Sequence, residues 1–120
     1  MTIAKINGID MYYEEHGDAN AEPLLLIMGF TMNAAAWAPQ IPALAERYHV
    51  IAFDNRGAGR TTQPDGGYTI PQMAGDAAAL LDHLGIASAH IIGASMGGMI
   101  AQEFAIRHPG RVRSLVLACT

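Results

Sequence analysis

The sequence contains little cysteine, few charged residues and no long apolar run, and each of these features excludes a class of protein. Its single cysteine, Cys119, rules out an internal disulfide, and its place at the end of an apolar run predicts a buried, inert thiol. The 7 Lys and Arg residues are scattered and the net charge is −4, which excludes the basic footprint of a nucleic-acid-binding protein. No uncharged apolar run approaches the ~20 residues that cross a bilayer, and the N-terminus lacks a basic-then-apolar signal. We therefore expect a soluble, cytoplasmic protein with no nucleic-acid or membrane partner.

What the sequence does contain is enough apolar surface for one core. Hydrophobic residues make up 51% of the 120 residues, with no internal repeat, low-complexity segment or linker, so residues 1–120 are predicted to form a single domain. Domains built on a mostly parallel α/β sheet usually have about 200 to 250 residues. At 120 residues this chain is shorter than such a domain.

Apolar runs and helical patterns alternate along the chain. Lys5–Asn7 and Met11–Glu15 flank Gly8, which predicts an antiparallel hairpin at the start. Further strands are predicted at Leu24–Met28, Val50–Phe53, His90–Gly93 and Val112–Leu117, with helices over Trp37–Tyr48, over Pro71–Leu84 and after Ser95. This order predicts an α/β fold: a mostly parallel twisted sheet with helices on both faces and an N-terminal antiparallel hairpin.

The segment Gly93-Ala94-Ser95-Met96-Gly97 stands where a strand-like run turns into a helix-like one. This is the context that a G-x-S-x-G nucleophile elbow requires. Glycines flank the serine because a Cβ on either side would press on the neighbouring backbone, while the serine is held in strain with its hydroxyl outward. The pattern predicts that Ser95 is a nucleophile.

Three segments, taken together in this order and spacing, resemble the α/β-hydrolase fold family over essentially the whole chain. They are LLLIMGF at Leu24–Phe30 leading to Trp37, DNRGAGRT at Asp54–Thr61, and GASMGG at Gly93–Gly98. The resemblance implies that residues 1–120 are the N-terminal half of such a hydrolase core.

The resemblance also assigns roles to individual residues. It implies that Ser95 is the catalytic nucleophile and that the backbone N–H groups of Phe30 and Met96 form the oxyanion hole, with no cofactor and no metal. Many relatives have a histidine where this chain has Met28. Asp54 ends a strand at the same sheet edge as Ser95, but the resemblance implies that it supports a structural turn.

The base that a catalytic serine needs is missing from the sequence. In this family the acid and the histidine follow the serine, and only His108 does so, about 13 residues along a helix and hence ~20 Å away. The remaining histidines are predicted at the surface or at ends of elements, away from the serine: His16, His49, His83 and His90. We therefore predict a serine hydrolase that cleaves a small-molecule ester or related acyl substrate through an acyl-enzyme on Ser95, with the acid and histidine outside this chain.

Several alternatives stay open at this point. The apolar strand at Val112–Leu117 would be an open sheet edge, which predicts pairing with the C-terminal half of the fold or with a second copy of the chain. The chain could instead be a non-catalytic fragment that assembles through this edge. The cofactor-free haloperoxidase branch of the same family would use the same serine. Trp37 is predicted in the core, and Phe30 could face either the core or a ligand.

Overall fold

A computed structural model describes residues 2–29, 32–66 and 68–119. The strands are β1 (Thr2–Ile6), β2 (Ile9–His16), β3 (Glu22–Ile27), β4 (Tyr48–Phe53), β5 (Ala89–Ala94) and β6 (Val112–Ala118). The helices are α1 (Ile41–Ala45), α2 (Ile70–His83) and α3 (Met96–Arg107), with short 3₁₀ turns at Ala34–Trp37 and Pro109–Arg111.

The six strands form one sheet in the order β1-β2-β4-β3-β5-β6. β2 runs antiparallel to both β1 and β4, whereas β4, β3, β5 and β6 are parallel to one another. Leu25 on β3 pairs with Ile51 on one side and with Ile91 on the other. The predicted fold class, a mostly parallel sheet with an N-terminal hairpin, is confirmed.

Both faces of the central strands are buried, which explains their continuous apolar runs. Leu24 and Leu26 pack on the face that holds Trp37 and α1, whereas Leu25 and Ile27 face α2 and α3. All four leucine and isoleucine side chains are at most 3% exposed. The core therefore lies in two layers, one on each side of β3, β4 and β5.

The predicted helix over residues 37–48 is wrong. A 3₁₀ turn ends at Trp37, α1 covers only Ile41–Ala45, and Tyr48 already begins β4. Pro42 sits in the first turn of α1, where its missing N–H costs no hydrogen bond, so it starts a new helix instead of distorting a longer one. The core position predicted for Trp37 is confirmed, since it is 7% exposed.

The helix predicted over Pro71–Leu84 is confirmed to within a residue at each end. The Thr69 hydroxyl accepts a hydrogen bond from the Gln72 N–H at 3.2 Å, which caps the first turn. Gly85 follows the last turn with φ +70°, a conformation that favours glycine and ends the helix. Among the described residues no helix is long and apolar enough to cross a membrane.

β6 forms one edge of the sheet, as predicted, and its side chains are largely uncovered. Leu115, Val116 and Leu117 are 37%, 52% and 40% exposed. Cys119, the residue after this strand, is exposed as well, so the predicted buried thiol is wrong. The reason is that β6 has a neighbouring strand on one side only, and an apolar run does not by itself ensure burial.

Candidate active site

The connection between β5 and α3 is a sharp turn centred on Ser95. Ser95 has φ +56° and ψ −123°, a region that residues with a Cβ rarely adopt and that costs on the order of 1–3 kcal/mol. Its N–H donates to the Ala118 carbonyl at 2.8 Å, and its carbonyl accepts from the Gly98 N–H at 2.9 Å. The backbone is thus fixed on both sides while the side chain is exposed.

The flanking glycines permit a close approach of backbone to backbone. A Cβ on Gly97 would overlap the carbonyl oxygen of Ile27, the last residue of β3, and a Cβ on Gly93 would overlap the carbonyl oxygen of Gly97. These contacts let α3 begin directly against the sheet. The steric role predicted for the glycines of the elbow is therefore confirmed.

The loop after β3 lies against the elbow. A Cβ on Gly29 would lie 3.1 Å from Ser95 Cβ and 3.5 Å from the Met96 nitrogen, so no side chain fits there without displacement. Met96 is the first residue of α3, and the N-terminus of a helix carries partial positive charge that favours a nearby anion. Phe30, the other predicted oxyanion donor, lies outside the described residues, and its role stays a prediction.

The turn after β4 is held by the carboxylate of Asp54. Its Oδ1 accepts from the Ala34 N–H at 2.6 Å, and its Oδ2 accepts from the Arg60 N–H at 2.9 Å. The Thr61 hydroxyl donates to the Asp54 carbonyl at 2.8 Å and accepts from the Tyr12 N–H at 3.0 Å. Because both carboxylate oxygens bind backbone N–H groups, Asp54 has the structural role that the resemblance implied.

A buried ion pair anchors the same turn to α2. Arg56 donates from Nε to Asp76 Oδ2 at 2.6 Å and from Nη2 to Oδ1 at 2.8 Å, and Asn7 Nδ2 donates to Oδ1 at 2.7 Å. The hydrogen bonds from Arg56 to Asp76 raise the pKa of Arg56 above its ordinary value. Asp76 was not predicted from the sequence. The signal for it is an acidic residue within the apolar stripe of α2, directly before Ala77.

A small cavity lies beside the elbow, between Gly29, Met96, Asn55 and Met73. Its volume of about 40 Å³ is enough for a water molecule. Substrate pockets are typically about 300–1,000 Å³, so the residues around this cavity do not by themselves enclose a substrate.

The five histidines lie toward the amino ends of the parallel strands, whereas Ser95 follows the carboxyl end of β5. His49 and His90 are the second residues of β4 and β5, and His16 pairs with Val50 near the start of β4. His83 and His108 end α2 and follow α3, the two helices that return the chain to the amino ends. Within the described ranges no histidine forms a hydrogen bond with Ser95, and that none of the five is its base stays a prediction.

Two details of the histidine prediction need correction. His49 lies within β4 instead of before it, and it is buried at 7% exposure, with Nε2 2.8 Å from Glu15 Oε1. β4 begins before His49 because Tyr48 and His49 pair with Glu22 and Pro23 on the parallel strand β3. In the part of the chain that the structure describes, no three His, Cys, Asp or Glu side chains come together to hold a metal ion.

Comparison with known proteins agrees with this architecture. A family model described as alpha/beta hydrolase fold matches residues 22–120. The chain belongs to the α/β-hydrolase fold family. The family and the fold class are therefore those that the sequence predicted.

Relatives and solved structures are of the same kind. The chain is 44% identical over 117 residues to a protein from Azorhizobium caulinodans named "Putative carbamate hydrolase RutD", covering 98% of this chain and 43% of that protein. It is 37% identical to 3-oxoadipate enol-lactonase 2 of Acinetobacter baylyi, covering 93% and 42%. A crystal structure of the enol-lactonase from Burkholderia xenovorans LB400 superposes with a TM-score of 0.92 at 36% identity, covering 95% and 45%. The chain thus spans less than half the length of the relatives it matches.

Proposed function

We propose that this chain carries the nucleophile of a serine hydrolase and that Ser95 is that nucleophile. The observation that carries the proposal is the strained backbone of Ser95, with an exposed side chain at the start of α3 and the Gly29 backbone packed against it. Backbone strain at a non-glycine residue persists only where the surrounding structure holds it, and it concentrates at functional sites.

The proposed reaction is acyl transfer through an acyl-enzyme. Ser95 Oγ attacks the substrate carbonyl carbon while a histidine takes its proton, and the resulting oxyanion accepts hydrogen bonds from the N–H groups of Met96 and Phe30. The leaving group departs with the proton from the histidine, and water then hydrolyses the acyl-enzyme by the same steps. Losing one such oxyanion donor typically costs about 2.7 to 4 kcal/mol of transition-state stabilisation.

The proposed substrate is a small ester or related acyl compound. The relatives are named for carbamate and enol-lactone substrates, and in both a carbonyl carbon carries a heteroatom leaving group. An acyl-enzyme on a serine suits this whole class. Because the two relatives are named for different substrates, we propose the class of acyl compounds and no individual member of it.

We propose that the acid and histidine come from polypeptide outside residues 1–120, docked at the open edge of β6. That edge has unpaired backbone groups and exposes Leu115, Val116 and Leu117, a surface that another strand could cover. Met99 and Ile106 on α3 are exposed as well, and they line a groove beside Ile70 and Pro71 at the start of α2. We favour the C-terminal half of the fold as the occupant, because the relatives are more than twice as long as the matched region, and a second copy of the chain is the alternative.

A fluorophosphonate probe tests this proposal. The chain is incubated with the probe alone, and again with the part of the Azorhizobium relative that it does not cover, with Ser95→Ala as the control. We expect labelling only in the complemented sample and only with Ser95 present. Labelling of the isolated chain would contradict the absence of a base, and failure to label even after a complex has formed would reject the hydrolase proposal in favour of a non-catalytic assembly role.

Two further expectations can be checked with the same material. A labelled complex whose turnover required peroxide and halide would belong to the haloperoxidase branch instead of the esterases. A cytoplasmic location, proposed from the composition, is tested by cell fractionation.

A further inference from the structure

Asn55 follows Asp54 in the turn after β4 and reaches across to the loop after β3. Its Nδ2 donates to the Met28 carbonyl at 2.8 Å, and the residue is 3% exposed. A buried hydrogen bond between side chain and backbone fixes the rotation of the peptide that it binds. Here that peptide joins Met28 to Gly29, the residue that packs against Ser95.

We propose that Asn55 is a positioning residue for the oxyanion side of the Ser95 site. In a trans peptide the C=O and the following N–H point in opposite directions, so holding the Met28 carbonyl toward Asn55 turns the Gly29 N–H away from it. The same hydrogen bond holds the loop where a Cβ on Gly29 would lie 3.1 Å from Ser95 Cβ and 3.5 Å from the nitrogen of Met96, a proposed oxyanion donor. This inference rests on the proposed function and adds the residue that orients one side of its site.

Asn55 is itself held rigidly. It lies between Asp54, whose carboxylate oxygens both accept backbone hydrogen bonds, and Arg56, which is paired with Asp76. The segment after β3 is thereby tied to this turn at both ends, at Met28 through the Asn55 amide and at Ala34 through the Asp54 carboxylate. An oxyanion hole depends on donors that are already aimed, so a rigid support of this kind acts on the transition state more than on substrate binding.

Asn55→Leu isolates the hydrogen bond to Met28. Asn55 Oδ1 is buried and bonds to none of the described atoms, so the substitution removes a single observed bond. Leucine has the same number of side-chain heavy atoms as asparagine, and the cavity of about 40 Å³ that Asn55 lines offers room for its bulkier methyl groups. Thr61→Val is the matched control, because Thr61 lies in the same turn at 4% exposure and loses two buried hydrogen bonds without touching Met28.

The first measurement is the kinetics of Ser95 labelling in the complemented protein. We expect Asn55→Leu to lower the maximal labelling rate about 100-fold, the scale of losing an oxyanion donor, with the half-saturating probe concentration unchanged. Thr61→Val should stay within about threefold of the parent chain. An unchanged rate for Asn55→Leu, or an equal fall for both variants, would overturn the positioning role while leaving the hydrolase proposal intact.

The second measurement uses the 120-residue chain alone. In a ¹H–¹⁵N NMR spectrum, Asn55→Leu should shift the Gly29 amide signal more than Thr61→Val does, because only the first variant frees the Met28–Gly29 peptide. If the two variants leave the Gly29 signal equally unmoved, the positioning role is wrong whatever the labelling shows. If the parent chain stays unlabelled in a formed complex, the hydrolase proposal fails, and the catalytic part of this inference fails with it.

Discussion

The turn after β4 and the turn after β5 leave the same edge of the sheet and use their polar groups in opposite ways. In the first, both oxygens of Asp54 accept backbone hydrogen bonds and the side chain is 2% exposed. In the second, the backbone of Ser95 is bonded on both sides, but its side chain is exposed. The Asp54 carboxylate stabilises its turn because both of its oxygens accept hydrogen bonds from the backbone. The Ser95 side chain is exposed on a fixed backbone, so its hydroxyl is accessible to a substrate.

The two turns also differ in what stabilises them. The β4 turn depends on charge, through the Arg56–Asp76 pair with side chains only 6% and 1% exposed. The β5 turn depends on the absence of side chains, through glycines whose added Cβ atoms would meet backbone. Substitutions that remove a charge should therefore damage the first, and those that add an atom should damage the second.

The largest effect is expected from Gly97→Ala in the β5 turn. The new Cβ would overlap the Ile27 carbonyl, which is backbone and cannot rotate away, so the start of α3 must shift. We expect a loss of roughly 4 kcal/mol in the free energy of unfolding, measured with urea. Gly110→Ala is the control, since a Cβ there meets nothing within 4 Å, and equal stabilities for the two variants would contradict the packing argument.

Asp76→Asn should come next, and it tests the charged anchor of the β4 turn. The substitution removes the Asp76 charge that faces the buried Arg56 guanidinium, and we expect a loss of about 3 kcal/mol, the lower end of the cost of breaking a buried ion pair, because the amide oxygen of asparagine still accepts a hydrogen bond. Asp82→Asn breaks the more exposed pair with Arg111, where Asp82 is 70% exposed, and should cost less than about 1 kcal/mol. Comparable losses in urea unfolding would show that burial does not distinguish the two pairs.

Ser95→Gly should stabilise the protein while removing the proposed nucleophile. Glycine adopts φ +56° without the penalty of a Cβ, so part of the strain of about 1–3 kcal/mol is relieved, and a net gain of about 1 kcal/mol is expected. Ala94→Gly, at the last residue of β5, should instead lower the free energy of unfolding by about 0.5–1 kcal/mol. A loss of stability in Ser95→Gly would mean that the turn is not strained.

The smallest effect is a pH dependence at the opposite, amino edge of the sheet. A hydrogen bond with His90, followed by one from Arg113, lowers the pKa of Glu22 below its ordinary 4.5. The stability that this carboxylate contributes is complete above pH 4.5 and is lost as the pH falls through the lowered pKa.

Glu22→Gln removes this contribution. Its thermal midpoint should lie slightly below that of the parent chain at about pH 6, and the gap should close toward about pH 3. Glu46→Gln, at an exposed position after α1, is the control. A gap that stayed constant with pH would exclude a contribution from the ionised Glu22.

Local patterns predicted much of this molecule because they have local causes. α2 begins after Thr69, which caps its first turn, and ends before Gly85, which has a left-handed backbone. Both signals lie within a few residues of the helix ends. The glycines around Ser95 predicted the elbow for the same reason. The helix predicted from Trp37 to Tyr48 was wrong because Tyr48 pairs with Glu22 on β3. That pairing joins residues distant in sequence, so the local helical spacing does not reveal it.

The fold class and the position of the nucleophile candidate could be predicted from the sequence alone. Those conclusions depend on chain order and on short-range steric rules. Three features emerge from the tertiary contacts alone: Asp76 pairs with Arg56, Asn55 donates a hydrogen bond to the Met28 carbonyl, and Cys119 is exposed. Each of these depends on which strands and turns become neighbours, and the packing of the whole sheet determines that.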